Sequence, residues 1–101
     1  MSFILIEKVL ASANAEAITT LYPKVAQAWI QAKSGNANLI EVGPSSTMAS
    51  GKGHALEPVV TDPSLRPLHL KATGENNGIN LNSWYAIGTA GQGLNIIIET
   101  F

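Results

Sequence analysis

The chain of 101 residues is short enough to form a single domain, and it contains no cysteine, so disulfides contribute nothing to its stability. Its formal net charge is −1 and 13% of its residues are charged, which argues against a nucleic-acid binder with a basic face and against a polybasic membrane anchor. Because 46% of the residues are hydrophobic and charges are few, we expect part of the surface to meet a partner.

The segment from Ser2 to Leu10 alternates two sets of side chains, and both sets are mostly apolar. This pattern is typical of a strand that is covered on both faces. One set comprises Phe3, Leu5 and Val9, and the other comprises Ile4, Ile6 and Leu10. Glu7 and Lys8 interrupt the apolar run, so we read it as neither a signal peptide nor a membrane span.

The next two segments are compatible with either a helix or a strand, and a clear turn signal follows them. Ala11–Thr20 has helix-forming alanines, but Ile18 to Tyr22 is rich in β-formers, which favours a strand over about Ala17–Tyr22 that ends at Pro23. Val25–Ala32 alternates small apolar residues with a mixed set, and its alanines and glutamines also allow a helix. A turn signal at Ser34-Gly35-Asn36 then leads into a strand over Ala37–Val42, so the sequence predicts a hairpin over Val25–Val42.

The middle of the chain is punctuated by turns. Gly43–Gly53 is the longest predicted loop, and Leu56–Thr61 is predicted as an edge strand because it contains Pro58. Leu65–Ala72 alternates like another strand, and Thr73–Gly78 forms the next turn.

The C-terminal segment gives the clearest local signal. Two β-rich runs, Asn80–Ile87 and Leu94–Phe101, flank Gly88–Gly93, whose three glycines suit a tight or bulged turn. Leu94, Ile96 and Ile98 would lie on one face. The sequence therefore predicts a hairpin here at the centre of the fold.

Seven or eight short strands at roughly even spacing predict an all-β fold. We expect one domain over residues 1–101, built as a small antiparallel β-sandwich or jelly roll.

No pattern of reactive residues stands out, so we expect no catalytic, cofactor or metal site. His54 and His69 have no cysteine partners and too few ligands for zinc. Serines such as Ser45 lack a nucleophile elbow, which leaves a small hydrolase using either histidine a remote hypothesis. Gly51-Lys52-Gly53 is compatible with an anion nest, but an ordinary loop is favoured. Gly88–Gly93 lacks the following helix that a phosphate loop needs.

The large aromatic residues allow two interpretations. Trp29, Trp84 and Tyr85 are compatible with sugar or base stacking, but stacking on nucleic acid requires nearby basic residues, and only Lys24 is close in sequence. Packing in the core or at an interface is favoured.

Several motifs in order resemble a known class of protein. Ile30-Gln31-Ala32 leads through a Gly-Asn turn into Leu39–Gly43, and the chain ends with Ile79–Ile96, which contains the Gly-Thr-Ala-Gly-Gln-Gly-Leu-Asn turn. This arrangement is similar to the small virion proteins of tailed bacteriophages over about Ala26–Phe101. One departure is Glu57-Pro58-Val59, which stands where the pattern has Pro-Gly, so we expect a different turn there.

The resemblance implies a non-enzymatic assembly role as a component of a virion that is assembled in the host cytoplasm. Within this class, the favoured function is a capsid cement or decoration protein that binds itself as a dimer or trimer and also binds the major capsid protein or another virion protein. The alternatives are a carbohydrate- or receptor-binding module and a tail or neck component. The expected interface residues are Phe3, Leu5, Ile97, Phe101, Trp84 and Tyr85.

Overall fold

A computed structural model describes residues 2–36, 38–47, 51, 53–56, 67–72 and 78–101. These residues form eight strands. The strands are β1 (Phe3–Val9), β2 (Glu16–Ala17), β3 (Gln27–Ala32), β4 (Ile40–Gly43), β5 (His54–Leu56), β6 (Leu68–Lys71), β7 (Tyr85–Ile87) and β8 (Gly93–Glu99). One short 3₁₀ turn, Leu81–Ser83, precedes β7, and the Asn80 side chain caps it by accepting from the Asn82 N–H.

The strands form two antiparallel sheets of four strands each, which confirms the predicted all-β sandwich. The first sheet has the order β1-β8-β3-β6, and the second has the order β2-β7-β4-β5. Every ladder between named strands is antiparallel. Four of these ladders nest inside one another along the chain: β1 with β8, β2 with β7, β3 with β6, and β4 with β5.

The core lies between the two sheets and is entirely apolar in the described part of the chain. Its buried side chains come from both sheets and from the loops that close the ends. They are Leu10, Ile18, Val25, Ala28, Ile30, Ala32, Ile40, Val42, Leu56, Leu81, Ala86, Leu94, Ile96 and Ile98. The two-residue period is confirmed in β3 and β8, where Ala28, Ile30 and Ala32 and the set Leu94, Ile96 and Ile98 face inward. The expectation that β1 is covered on both faces is wrong within the described structure, because β1 is an edge strand whose Phe3, Leu5 and Val9 side chains are exposed.

Both predicted hairpins are wrong. β7 belongs to the second sheet and β8 to the first, so the Gly88–Gly93 segment crosses between sheets. β3 and β4 are likewise in different sheets, and the turn at Ser34-Gly35-Asn36 is a second crossing. β8 instead lies between β1 and β3, which are both far from it along the chain.

Other strand boundaries also differ from the prediction: β4 begins at Ile40, and β7 begins only at Tyr85, after the 3₁₀ turn. The strand expected over Ala17–Tyr22 is the two-residue β2, because Ile18 already turns into the core. The strand expected from Leu56 ends at that residue within the described chain, and Glu57–Thr61 lies outside the described residues. The strand predicted over Leu65–Ala72 contains β6, and its first two residues also lie outside.

Candidate functional site

Exposed apolar side chains collect on the outer face of the first sheet. Of the seven large hydrophobic residues that are exposed among those described, four project from β1 or β8 on this face, and none comes from a strand of the second sheet. The four are Phe3, Leu5, Val9 and Ile97. An apolar surface of this kind on one face of a small domain is typical of an interaction site.

Strand register arranges part of this surface as a straight row. Leu5 of β1 lies opposite Ile97 of β8, Ile97 lies opposite Trp29 of β3, and Trp29 lies opposite His69 of β6. The row therefore crosses all four strands of the first sheet at one level. We call Leu5, Ile97, Trp29 and His69 the cross-strand row.

Aromatic contacts fix the orientation of the tryptophan in this row. The rings of Trp29 and His69 stack with centroids 4.9 Å apart and an angle of 3° between their planes. Phe3 approaches Trp29 from the β1 side, at 6.3 Å and 32°. A sugar stacking on Trp29 would have to displace His69 or Phe3, so this geometry favours a protein partner over a sugar at this surface.

Two consecutive hydrogen bonds through Gln27, which we call the polar relay, support the same aromatic cluster. The Gln27 Nε2–H donates to Glu99 Oε1 at 2.7 Å, and Gln27 Oε1 lies 2.8 Å from His69 Nε2. Because the Gln27 oxygen can only accept, the proton in the second bond is on His69 Nε2. The relay holds His69 flat against Trp29 and leaves Glu99 with a partner on the outer face.

The opposite side of the cross-strand row is bordered by a charged pair and a backbone clamp. Lys33 Nζ lies 3.2 Å from the carboxylate of Glu7. The side-chain amide of Asn36 makes two hydrogen bonds to Gly93: its Nδ2–H donates to the Gly93 carbonyl at 2.8 Å, and its Oδ1 accepts from the Gly93 N–H at 2.9 Å. The crossing turn after β3 is thereby joined to the first residue of β8.

Glu16 performs a similar role where β1 leads toward β2. Its carboxylate accepts from the Ala11 N–H at 2.9 Å, from the Ser12 N–H at 3.0 Å and from Lys8 Nζ at 3.1 Å. Burial acts to raise the pKa of Glu16, but the hydrogen bonds from Ser12, Lys8 and Ala11 outweigh it, and the net pKa lies below its ordinary value. The anionic form therefore stabilises this turn.

The expected interface residues divide into two groups. Phe3, Leu5 and Ile97 come together on the outer face of the first sheet. Phe101 is 62% exposed beyond β8 and has Lys24 Nζ 5.5 Å from its ring centroid. The other two lie with the second sheet.

Trp84 packs against the core, and Tyr85 is half-buried in β7, opposite Ala17 and Gly43. The sequence reasoning did not include Trp29 and His69 among the interface residues. The alternation of Val25–Ala32 places Trp29 on the outer face, but nothing local pairs it with His69.

The segments considered for chemistry have structural partners instead. His54 is in β5 of the second sheet and His69 is in β6 of the first. Within the described ranges, no group of three or more His, Cys, Asp or Glu side chains is placed to hold a metal ion. Ser45 Oγ bonds to Thr47 Oγ1 at 3.0 Å.

The segment Gly51–Gly53, for which an ordinary loop was favoured over an anion nest, binds a carboxylate of the same chain. The N–H groups of Gly51 and Gly53 donate to the carboxylate of Glu41, at 2.8 and 3.2 Å. Their role is to secure the loop before β5. Lys52 lies outside the described residues.

Comparison with protein-family models, with curated proteins and with solved structures gives no match. The described part of the chain contains no helix long and apolar enough to cross a membrane. Arguments about function therefore depend on the site itself.

Proposed function

We propose that the protein is a non-enzymatic structural protein that binds copies of itself and a larger shell. In the terms of the sequence resemblance, it is a capsid cement or decoration protein of a tailed-phage virion. The observation that carries this proposal is the exposed apolar surface on the outer face of the first sheet, which includes Phe3, Leu5 and Ile97.

The strand order supports the same proposal. The nested pairing of β1 with β8, β2 with β7, β3 with β6 and β4 with β5 is the order of a jelly roll, and we infer that the sandwich is one. Jelly rolls occur in viral capsid domains and also in lectins, so the fold is compatible with both the shell-binding function and the carbohydrate-binding alternative. The covered ring of Trp29 favours the first.

The physical mechanism is association by burial of apolar surface. When a partner contacts the surface around Ile97, water leaves the cross-strand row. The polar side chains of Gln27, Glu99 and Lys33 then form a rim around the apolar contact. Each copy contributes a modest interface, and many copies on one shell give a large combined binding energy.

The proposal is tested by locating the protein and by disrupting its outer face. Electron microscopy of the native particle, with the protein marked by an antibody, should place it on the shell. Cosedimentation with shells should be lost in Ile97→Lys and retained in Asn95→Lys, which adds the same charge to the same strand and face two residues away. A protein absent from the particle, or equal binding by the two variants, would overturn the proposal.

A further inference from the structure

Among the described strands, one sheet edge is long and the other three are short. β1 is the outer strand of the first sheet and has seven residues, no proline and an uninterrupted register with β8. The other edge strands have two, three and four residues: β2, β5 and β6. Natural proteins usually shorten, kink or charge their edge strands, so a long flat edge is a ready site for another strand.

The hydrogen bonds of β1 show which backbone groups face this edge. The Thr100 N–H donates to the Ser2 carbonyl, and the Leu10 N–H donates to the Gln92 carbonyl, both at 2.8 Å. Because residues of an antiparallel strand alternate, even-numbered residues bond to β8 and odd-numbered ones point their N–H and C=O groups outward. The outward-facing residues are Phe3, Leu5, Glu7 and Val9.

Three of these four residues also carry exposed apolar side chains. Phe3 and Leu5 are 65% exposed and Val9 is 53% exposed. Among the described residues, no strand pairs with this side of β1. The edge therefore offers both backbone groups and apolar area to one partner.

We propose that β1 pairs antiparallel with β1 of a second copy about a two-fold axis at Leu5. This inference rests on the proposed function and specifies how the protein binds itself. The two copies form one continuous sheet from the two four-stranded first sheets.

Charge and polarity select this register among the symmetric ones that pair at least five residues of β1 with the second copy. A two-fold axis at Glu7 sets two glutamates directly opposite each other, which is destabilising. An axis at Ile6 sets Leu5 opposite Glu7 and Ile4 opposite Lys8. An axis at Leu5 sets Leu5 opposite Leu5 and Ile4 opposite Ile6, and it leaves Glu7 opposite Phe3 while its carboxylate remains with Lys33.

The same register joins the two cross-strand rows. Leu5 of one copy meets Leu5 of the other, so the row runs from His69 through Trp29 and Ile97 across the axis to the same residues of the second copy. An axis at Ile6 would instead direct each row into Glu7 of the second copy. The dimer thus uses the β1 edge for self-association and leaves one long apolar row for the shell.

Leu5→Pro tests the edge directly. The Leu5 N–H faces outward, so proline removes a bond to the second copy and none to β8, as is tolerated on edge strands. We expect the wild-type chain to sediment as a dimer and Leu5→Pro as a monomer with an unchanged circular dichroism spectrum. A folded Leu5→Pro that still dimerises overturns the inference but leaves the proposed function standing.

Single-cysteine variants test the register. Because the chain has no native cysteine, each variant carries one thiol per copy, and the substitution removes no backbone hydrogen bond. In the proposed dimer the two Leu5 Cα atoms lie about 5.5 Å apart, within disulfide reach. The two Val9 Cα atoms lie roughly 26 Å apart along the strands. Under mild oxidation, Leu5→Cys should give a covalent dimer and Val9→Cys should not.

Equal cross-linking of the two variants, cross-linking of Val9→Cys alone, or no cross-linking in either overturns the register. A wild-type trimer overturns the two-fold edge while leaving a homo-oligomeric cement protein intact. A wild-type chain that is monomeric at every concentration overturns the inference, and shell binding by that monomer would show that the outer face acts without self-association.

Discussion

Replacing Asn36 by alanine should destabilise the sandwich although the residue belongs to neither sheet. Its side-chain amide makes both hydrogen bonds to the backbone of Gly93, a buried residue at the start of β8. The Gly93 carbonyl keeps a second partner, the Lys33 N–H at 3.0 Å, whereas the Gly93 N–H loses the bond to Asn36 Oδ1. The main cost is therefore one buried donor left without a partner.

An unsatisfied buried N–H costs about 1–3 kcal/mol, and the retained carbonyl bond limits the loss to that range. For a domain of this size we expect the melting temperature to fall by roughly 4–8 °C per kcal/mol. Urea unfolding gives the free energy, and amide hydrogen exchange at Gly93 gives the local effect, which should be faster exchange at that one position.

Asn38→Ala is the matched control, because Asn38 is exposed and only its backbone N–H makes a hydrogen bond in the described structure, to Gln92 Oε1. We expect its free energy of unfolding to stay within about 0.5 kcal/mol of the wild-type value. Equal stability of the two variants, with unchanged exchange at Gly93, would refute the assignment of the clamp.

Three further predictions concern stability. Glu16→Gln should lower the free energy of unfolding by about 1–2 kcal/mol at neutral pH. Because the folded pKa of Glu16 lies below its ordinary value, this difference should be present above the unfolded pKa and vanish as the pH falls through the folded pKa, which urea titrations at several pH values would show. Ile96→Ala, at a fully buried position, should cost about 2–5 kcal/mol, whereas Ile97→Ala on the outer face should cost less than about 1 kcal/mol by the same assay. Gly93→Ala should cost about 1–3 kcal/mol in thermal unfolding, since its Cβ would lie 2.9 Å from the Lys8 carbonyl oxygen; a variant as stable as the wild type would contradict this close approach.

Local patterning predicted which side chains share a face of a strand, but it predicted neither the exposed face of β1 nor which strands are neighbours. The alternation in β8 correctly grouped Leu94, Ile96 and Ile98 on one face, which is the buried one, because side-chain direction depends only on the two-residue period. Pairing depends on residues far apart, such as Ser2 and Thr100, which are 98 positions apart in sequence. The glycines of Gly88–Gly93 give the same local signal for a turn within a sheet and for a crossing between sheets.

Some apolar residues of the candidate site were predicted from the sequence, but the aromatic stack within it was not. Phe3, Leu5 and Ile97 were named as expected interface residues, and the two-residue period placed Phe3 and Leu5 on the same face of their strand. The stacking of His69 on Trp29 arises from the pairing of β3 with β6 across a long intervening segment. No spacing rule in the sequence relates these two residues.

The coincidence of an open edge and an apolar face on the same strand argues for self-association more strongly than either feature alone. An apolar face with a closed edge fits any flat partner, and an open edge with polar side chains fits a transient strand exchange. In β1 the residues that direct backbone groups outward are the ones whose side chains lie on the apolar face, since both alternate with the same period. A second copy that pairs at Leu5 forms hydrogen bonds with the outward N–H and C=O groups of β1 and also extends the apolar row. Of the axes at Leu5, Ile6 and Glu7, only the axis at Leu5 does both.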